Sequence, residues 1–270
     1  MRIRLCDHYT VSIDRVSHYL EIAARLRPKT TAAQRVQHAQ LVAEPAGHAW
    51  HETTDMFGNH LARARLAPHP MQLRLTALSE LDLAPAEVPP ALRPTVQPGA
   101  PDPRTAPDGA VASYARRVTR GVPAEPAAVL RALAEAVAQD IPDDPRATTI
   151  ATSAAGAFAA GAGVCQDRAH IVIAAAHALG LPAYYIGGYR LAAAELAAGR
   201  ETIAIPHAWV GLTRPGAAPA ALDPGAATGQ HSYIALACGR SFDDVQPLRI
   251  HGEGARFRTA RARATARAVV

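Results

Sequence analysis

Eight prolines fall between residues 84 and 107, at 85, 89, 90, 94, 98, 101, 103 and 107. Each removes a backbone donor and fixes φ, so this stretch fits inside neither a helix nor a sheet. It reads as an extended, semi-rigid linker or surface strap. It divides the 270-residue chain into segments 1–83 and 108–270, and the length itself points nearer to two domains than one.

The first segment carries strand signals. Residues 2–5 and 9–14 alternate polar and apolar, and further strands are expected over 37–43, 60–66 and 72–83. Turn-forming runs at 27–30, 45–47 and 55–59 separate them. Several short strands at this spacing predict a β-sandwich-like domain. Beyond residue 108 the apolar period becomes helical. Asp108 is placed to cap a helix reaching Arg120, and a second starts near Glu125-Pro126 with Val129, Leu130, Leu133 and Val137 on one stripe. A third, alanine-rich helix is expected over 149–160 and a fourth from Cys165 to Leu179, ahead of Gly180 and Pro182. Strands follow over 183–189, 202–213, 220–224 and 232–237. The expected fold is therefore α+β: a β-sandwich-like domain over 1–83, a proline-rich linker over 84–107, and an α+β domain over 108–270.

Apolar residues make up 49% and charged residues 19%, enough to bury a core and exclude wholesale disorder. No run of 18 apolar residues offers a helical membrane span, and residues 1–6 lack the apolar stretch of a signal peptide. Three widely separated cysteines (Cys6, Cys165, Cys238) argue against a disulfide framework. A cytoplasmic protein with no membrane partner is expected. Twenty-eight basic residues, all but Lys29 arginine, stand against 23 acidic ones; the net +5 is a weak excess, and a nucleic-acid partner is not expected.

Gly161-Ala-Gly-Val-Cys165-Gln-Asp167 is the most informative segment. The glycines allow a sharp turn, and the cysteine follows at the first turn of a helix, where unpaired N–H groups and the positive dipole end favour a thiolate. A free cysteine is also commonly a small buried hydrophobe. The balance moves with His207, on an expected strand, and Asp223, on the next one. A hairpin over 214–219 would set them side by side, with the carboxylate fixing the imidazole.

These residues resemble the bacterial transglutaminase-like cysteine enzymes. The matching runs are Asp144-Pro-Arg-Ala-Thr148, Gly163-Val-Cys-Gln-Asp-Arg-Ala-His170, His207-Ala-Trp-Val210, Leu222-Asp-Pro224 and Val245. Leu26-Arg-Pro28, Gln34-Arg35 and Asp55-Met-Phe-Gly-Asn59 are similar to the N-terminal β-domain often attached to them. The resemblance covers almost the whole chain. It implies a papain-like, transglutaminase-like α+β core with Cys165 as nucleophile, His207 as base and Asp223 as orienting acid. Three positions depart from the pattern. Arg168 stands where an aromatic or aliphatic residue is usual, Ala220-Ala-Leu222 lacks the usual tryptophan, and Gly211 replaces a polar or charged residue.

The backbone N–H of Cys165 is expected in the oxyanion hole. The Gln166 backbone or a tryptophan N–H, that of Trp209, is the candidate second donor, and Trp209, two residues beyond His207, is expected to wall the site. No cofactor or metal is expected. His48, His51, Glu52, Asp55 and His60 fit neither zinc-helix motif, and His48 and His51 would face opposite ways on a strand. Gly161 and Gly163 begin a dinucleotide fingerprint that lacks its third glycine. Cys6-Asp7-His8 is contiguous on a strand and is not expected to converge, and Cys238 reads as strand filler. His170 falls roughly 140° around the helix from Cys165, out of reach of the thiol, while Asp167 complements the helix dipole. The C-terminal arginines (256, 258, 261, 263, 267) suit an arginine-faced edge strand, and a phosphate-binding tail is the less favoured reading.

The expected activity is thiol-dependent acyl transfer on an amide of a peptide or protein. Hydrolysis, as a cysteine protease or amidase, is favoured because crosslinking in the cytoplasm would be hazardous. A protein-glutamine crosslinking transglutaminase would use the same triad, and a non-catalytic protein-binding scaffold is the alternative of a different class.

Overall fold

Alternating side chains build the first segment as strands: β1 (Arg2–Arg15), β2 (Leu20–Ala24), β3 (Gln34–Glu44), β4 (His51–Thr54), β5 (His60–Leu66) and β6 (Met71–Leu83). This computed structural model describes residues 1–15, 19–46, 49–67, 71–84, 89–96, 102–213, 216, 218–225, 231–253 and 256–269. The two alternating runs near the start form one 14-residue strand. Two short strands, β2 and β4, were not anticipated.

The second segment supplies α1 (Gly109–Val118), α2 (Pro126–Asp140), α3 (Ala154–Ala160), α4 (Cys165–Ala178), β7 (Ala183–Ala192), α5 (Ala193–Ala197), β8 (Thr202–Ile203), β9 (Ile205–Leu212), β10 (Ala220–Leu222), β11 (His231–Gly239), α6 (Phe242–Val245), β12 (Leu248–Gly252) and β13 (Arg256–Val269). The caps sit where the sequence puts them. Asp108 accepts from the Val111 N–H at 2.8 Å, and Glu125 accepts from the Ala128 N–H at 2.9 Å with Pro126 opening α2. The third helix starts later than expected. The Thr149 N–H donates to the Thr152 hydroxyl, and the Ala151 N–H to that of Thr149. These local bonds compete with helix formation, so α3 begins only after Ser153, whose hydroxyl accepts from the Gly156 N–H.

Three sheets result, in the orders β3-β6-β1-β13-β8, β12-β2-β5-β4 and β10-β9-β7-β11. The first two face each other. Val11, Ile13, Leu73 and Leu75 pack against Leu20, Ile22, Ala64 and Leu66 across a shared core. This is the expected sandwich, but the hydrogen bonding crosses the expected boundary between 1–83 and 108–270. β13 runs antiparallel to β1 from Arg2↔Val269 to Arg15↔Arg256, and β12 pairs with β2. Alternation reveals the two faces of a strand and not its partner, so this exchange was invisible in the sequence. β8 covers only Thr265 and Ala266 of β13. Arg261, Arg263 and Arg267 are exposed along that strand, as expected of an arginine-faced edge; the side chains of Arg256 and Arg258 lie outside the described residues.

The third sheet carries α4 on one face, in contact with β7 and β9 and flanked by α1, α2 and α3. Ile171, Val172, Ile173 and Ala174 on α4 are all fully buried, the pattern of a helix enclosed on every side. On the opposite face lies the proline strap. Leu92 is buried among Phe57, Tyr184, Ile186, Trp209, Ala235 and Cys238, and its carbonyl accepts from the Tyr184 hydroxyl. Residues 85–88 and 97–101 of the strap, and 214, 215 and 217 of the expected hairpin, lie outside the described residues. Among the described residues no helix is long and apolar enough to cross a membrane.

Candidate active site

Helix α4 begins at Cys165 because Val164 is extended and because the chain at Gly163 runs against its own cap. A Cβ on Gly163 would meet Asp167 Oδ2 at 2.7 Å. That carboxylate oxygen accepts from the Val164 N–H at 2.8 Å and from the Thr148 hydroxyl at 2.7 Å, closing the helix start from its third residue as the sequence suggested. Cys165 thus stands in the first turn, where backbone N–H groups have no intrahelical acceptor. It is half-buried and lines a cavity with His207.

His207 lies on β9, between β7 and β10, and Asp223 follows the last residue of β10. The antiparallel pairing of β9 with β10 brings them together: His207 Nε2 and Asp223 Oδ2 are 2.6 Å apart, with both side chains 4% exposed. Asp223 holds Nε2, so Nδ1 is the nitrogen left for the Cys165 thiol, which lines the same cavity. Burial pushes the His207 pKa down, but the hydrogen bond to Asp223 and the neighbouring Asp223 and Cys165 outweigh it, and the imidazole stands at about 9. Burial likewise pushes Asp223 up, yet His207, the Tyr233 hydroxyl and the Gly225 N–H together hold the carboxylate below its usual range.

Sequence reasoning missed Tyr233. Its hydroxyl donates to Asp223 Oδ2 at 2.9 Å, while the Gly225 N–H donates to Oδ1 at 2.9 Å. The Tyr233 ring meets Trp209 edge-on at 5.5 Å, and Trp209 stacks behind His207 at 6.4 Å. A tyrosine on a strand looks like ordinary strand filler; the available signal was chemical, since a buried carboxylate with two oxygens needs more donors than one imidazole.

Two expectations for Trp209 are corrected. Its indole N–H points away from the thiol and donates to the Pro90 carbonyl at 3.0 Å. It therefore braces His207 from behind and ties down the strap, rather than walling the cavity or serving the oxyanion. Gln166 lines the cavity, with its side-chain amide donating to the Ile150 carbonyl at 3.3 Å; its backbone is what remains for an oxyanion. His170 stays clear of the thiol: its Nε2 accepts from the Phe242 N–H at 3.1 Å, and burial lowers its pKa to about 3. Cys238 is fully buried, and burial raises its thiol to about 11.

Cys6 and His8 do converge, contrary to expectation. They share one face of β1, Sγ to Nε2 at 3.0 Å, because side chains two apart on a strand point the same way. Asp7 points inward, buried to 1% exposure, and burial raises its carboxyl to about 7. Around β4 and β5, His60 pairs with Glu52 at 3.2 Å and Asp55 with Arg25 at 3.0 Å; His48 lies outside the described residues.

Two departures from the family pattern have local causes. Gly211 is required because a Cβ there would fall 2.3 Å from the Tyr184 ring. Arg168 donates from Nε to the Ile141 carbonyl at 2.8 Å and lies 3.8 Å from Asp143. Its guanidinium also abuts the Gly225 turn, so it fastens the helix start to the loop behind Asp223 and does not line the cavity.

The chain is similar to known proteins along most of its length. Residues 112–224 match the transglutaminase-like superfamily, and residues 13–82 match the bacterial transglutaminase-like N-terminal region. The chain carries a transglutaminase-like core behind a bacterial transglutaminase-like N-terminal region. Uncharacterised proteins of Mycobacterium tuberculosis and Mycobacterium bovis are 29% identical over 254 residues, covering 83% of this chain and 79% of theirs. A crystal structure of a proposed cysteine protease from Cytophaga hutchinsonii superposes with a TM-score of 0.72 at 18% identity, over 98% of this chain and 90% of that one. That likeness supports the transglutaminase-like fold, α+β with its N-terminal β-domain.

Proposed function

We propose that this transglutaminase-like protein is a thiol-dependent hydrolase of amide bonds in a peptide or protein, acting in the cytoplasm. The observation that carries the reading is the buried 2.6 Å contact between His207 and Asp223, set beside a cysteine in the first turn of a helix. The Cys165 thiolate attacks the amide carbonyl and a C–S bond forms. The developing oxyanion is held by first-turn backbone N–H groups, those of Cys165 and Gln166. The His207 imidazolium protonates the departing amine, the C–N bond breaks, and a thioester remains. Water then loses a proton to His207 and attacks, and Cys165 leaves as thiolate. Asp223, fixed by Tyr233 and Gly225, holds the ring in place and stabilises its charge. Thiol, imidazole and carboxylate supply the whole cycle, so the proposal calls on no cofactor or metal.

Intact-mass analysis with peptide amides tests this. A transient acyl adduct on Cys165 that resolves to the acid is expected, and Cys165→Ala should fold normally without turnover. Turnover by the folded Cys165→Ala variant would falsify the mechanism. With a primary amine added, predominant amide product would replace hydrolysis by acyl transfer to amines.

A further inference from the structure

The cavity beside Cys165 and His207 has a volume of about 170 Å³. Tyr185, Tyr189, Leu236, Phe242, Val245 and Pro247 line it, and no Asp, Glu, Lys or Arg is among its described lining residues. The Tyr189 hydroxyl is turned away towards that of Tyr9, 3.5 Å distant, so the residue presents its ring. On the floor, Gly187 offers no side chain; a Cβ there would approach Val245 Cγ2 to 3.2 Å.

Helix α6 contributes Phe242 and Val245 to the lining, and it is held from several directions. The Phe242 N–H donates to His170 Nε2 at 3.1 Å, the Ser241 hydroxyl donates to Asp102, and Arg104 pairs with Asp243 at 2.5 Å. His170 is neutral and fully buried, so its acceptor is permanent over the ordinary pH range. The cavity is therefore built in advance of any substrate. An apolar cavity of about 150 Å³ accommodates benzene, which sets the scale here. Beyond the reacting Cys165, Gln166 and His207 at its mouth, the described lining offers no charged side chain to repay the water that a charged group entering it would give up.

We infer that this cavity is a specificity pocket, taking an apolar side chain of up to benzene size from the substrate residue next to the amide attacked by Cys165. This rests on the proposed role of Cys165. It makes the substrate class peptides with a bulky aliphatic or aromatic residue at the reacting bond. Charged peptides are disfavoured.

The test is digestion of a mixed peptide library by the full chain, with cleavage sites read by mass spectrometry and Cys165 alkylation by iodoacetamide followed in parallel. Leu, Met or Phe beside the cleaved bond should exceed Ala in kcat/KM by at least about tenfold, given what a filled apolar pocket contributes to discrimination. Val245→Ala should move the optimum towards larger side chains, and Gly187→Ala towards smaller ones. Should Gly187→Ala fail to fold, the Val245→Ala shift decides alone. Alkylation of Cys165 with cleavage that is indifferent to the side chain, or that favours charged ones, overturns the pocket and leaves the nucleophile standing. An unreactive Cys165 with no cleavage overturns both.

Discussion

Replacing Asp223 with Asn keeps the shape of the side chain and removes the charge that holds His207 protonated. In the native protein His207 stands at about 9 against the ordinary 6.5, despite burial that works the other way. At 1.36 kcal/mol for each tenfold change in proton affinity, that gap corresponds to roughly 3 kcal/mol of preference for the imidazolium in the folded state. With only 4% of each side chain exposed, solvent screening takes little from it. Part of it belongs to Cys165, and the larger part to Asp223. Below pH 6.5 the ring is protonated in both folded and unfolded chains, and the contribution is present in full. Between 6.5 and 9 only the folded state keeps the proton, so stability falls as pH rises, and above 9 the contribution is gone. Urea unfolding at pH 6, 7.5 and 9.5 should therefore show the native protein ahead of Asp223→Asn by about 2–3 kcal/mol at pH 6, with the difference closing by pH 9.5. In melting temperature this is about 4–9 °C at the acid end. The falling limb of kcat/KM, set near 9 by loss of the imidazolium, should move below 7 in the variant. Parallel stability curves across pH 6.5–9.5 would refute the electrostatic account of this pair.

Tyr233→Phe removes one donor to Asp223 and leaves the ring against Trp209; a loss of about 1 kcal/mol, some fivefold in kcat with KM nearly unchanged, is expected from steady-state kinetics. Gly211→Ala drives a methyl into the Tyr184 ring and should cost about 1–3 kcal/mol in a thermal melt. Trp209→Phe frees the Pro90 carbonyl, so limited proteolysis should cut within 89–96 faster than in the native chain. Asp7 is raised to about 7 from 3.8 by burial, so its contribution to stability is present below pH 3.8 and is lost as pH rises through 7. Asp7→Asn should flatten that decline when denaturation is compared at pH 4 and pH 8.

The local grammar of this chain was readable. Asp108, Glu125-Pro126 and Ser153 all cap helices; the first two were foreseen, because capping depends on neighbours in sequence. Cys165 was legible for the same reason, and His207 with Asp223 because their strands follow one another and pair. What escaped was set by distant partners. Tyr233 reaches Asp223 from β11, and the indole of Trp209 is claimed by a proline carbonyl 119 residues away. Nothing in an alternating arginine strand says that its partner is β1. Cys6 and His8 failed in the other direction, where contiguity was mistaken for divergence although the strand period of two places them together.

The pairing of Arg2–Arg15 with Arg256–Val269 also fixes an order of events. A growing chain presents β1 to solvent while more than two hundred residues are still to be made. Until β13 arrives, one edge of β1 offers an open row of N–H and C=O groups, a template for any passing strand. Pairing across so much sequence is slow to form, since loop closure comes before any contact rewards it. The sandwich, although its first six strands leave the ribosome early, cannot be finished until the α+β core behind it has been synthesised. The half of the molecule that is born first is completed last, and nascent chains arrested before residue 256 are the species most exposed to aggregation.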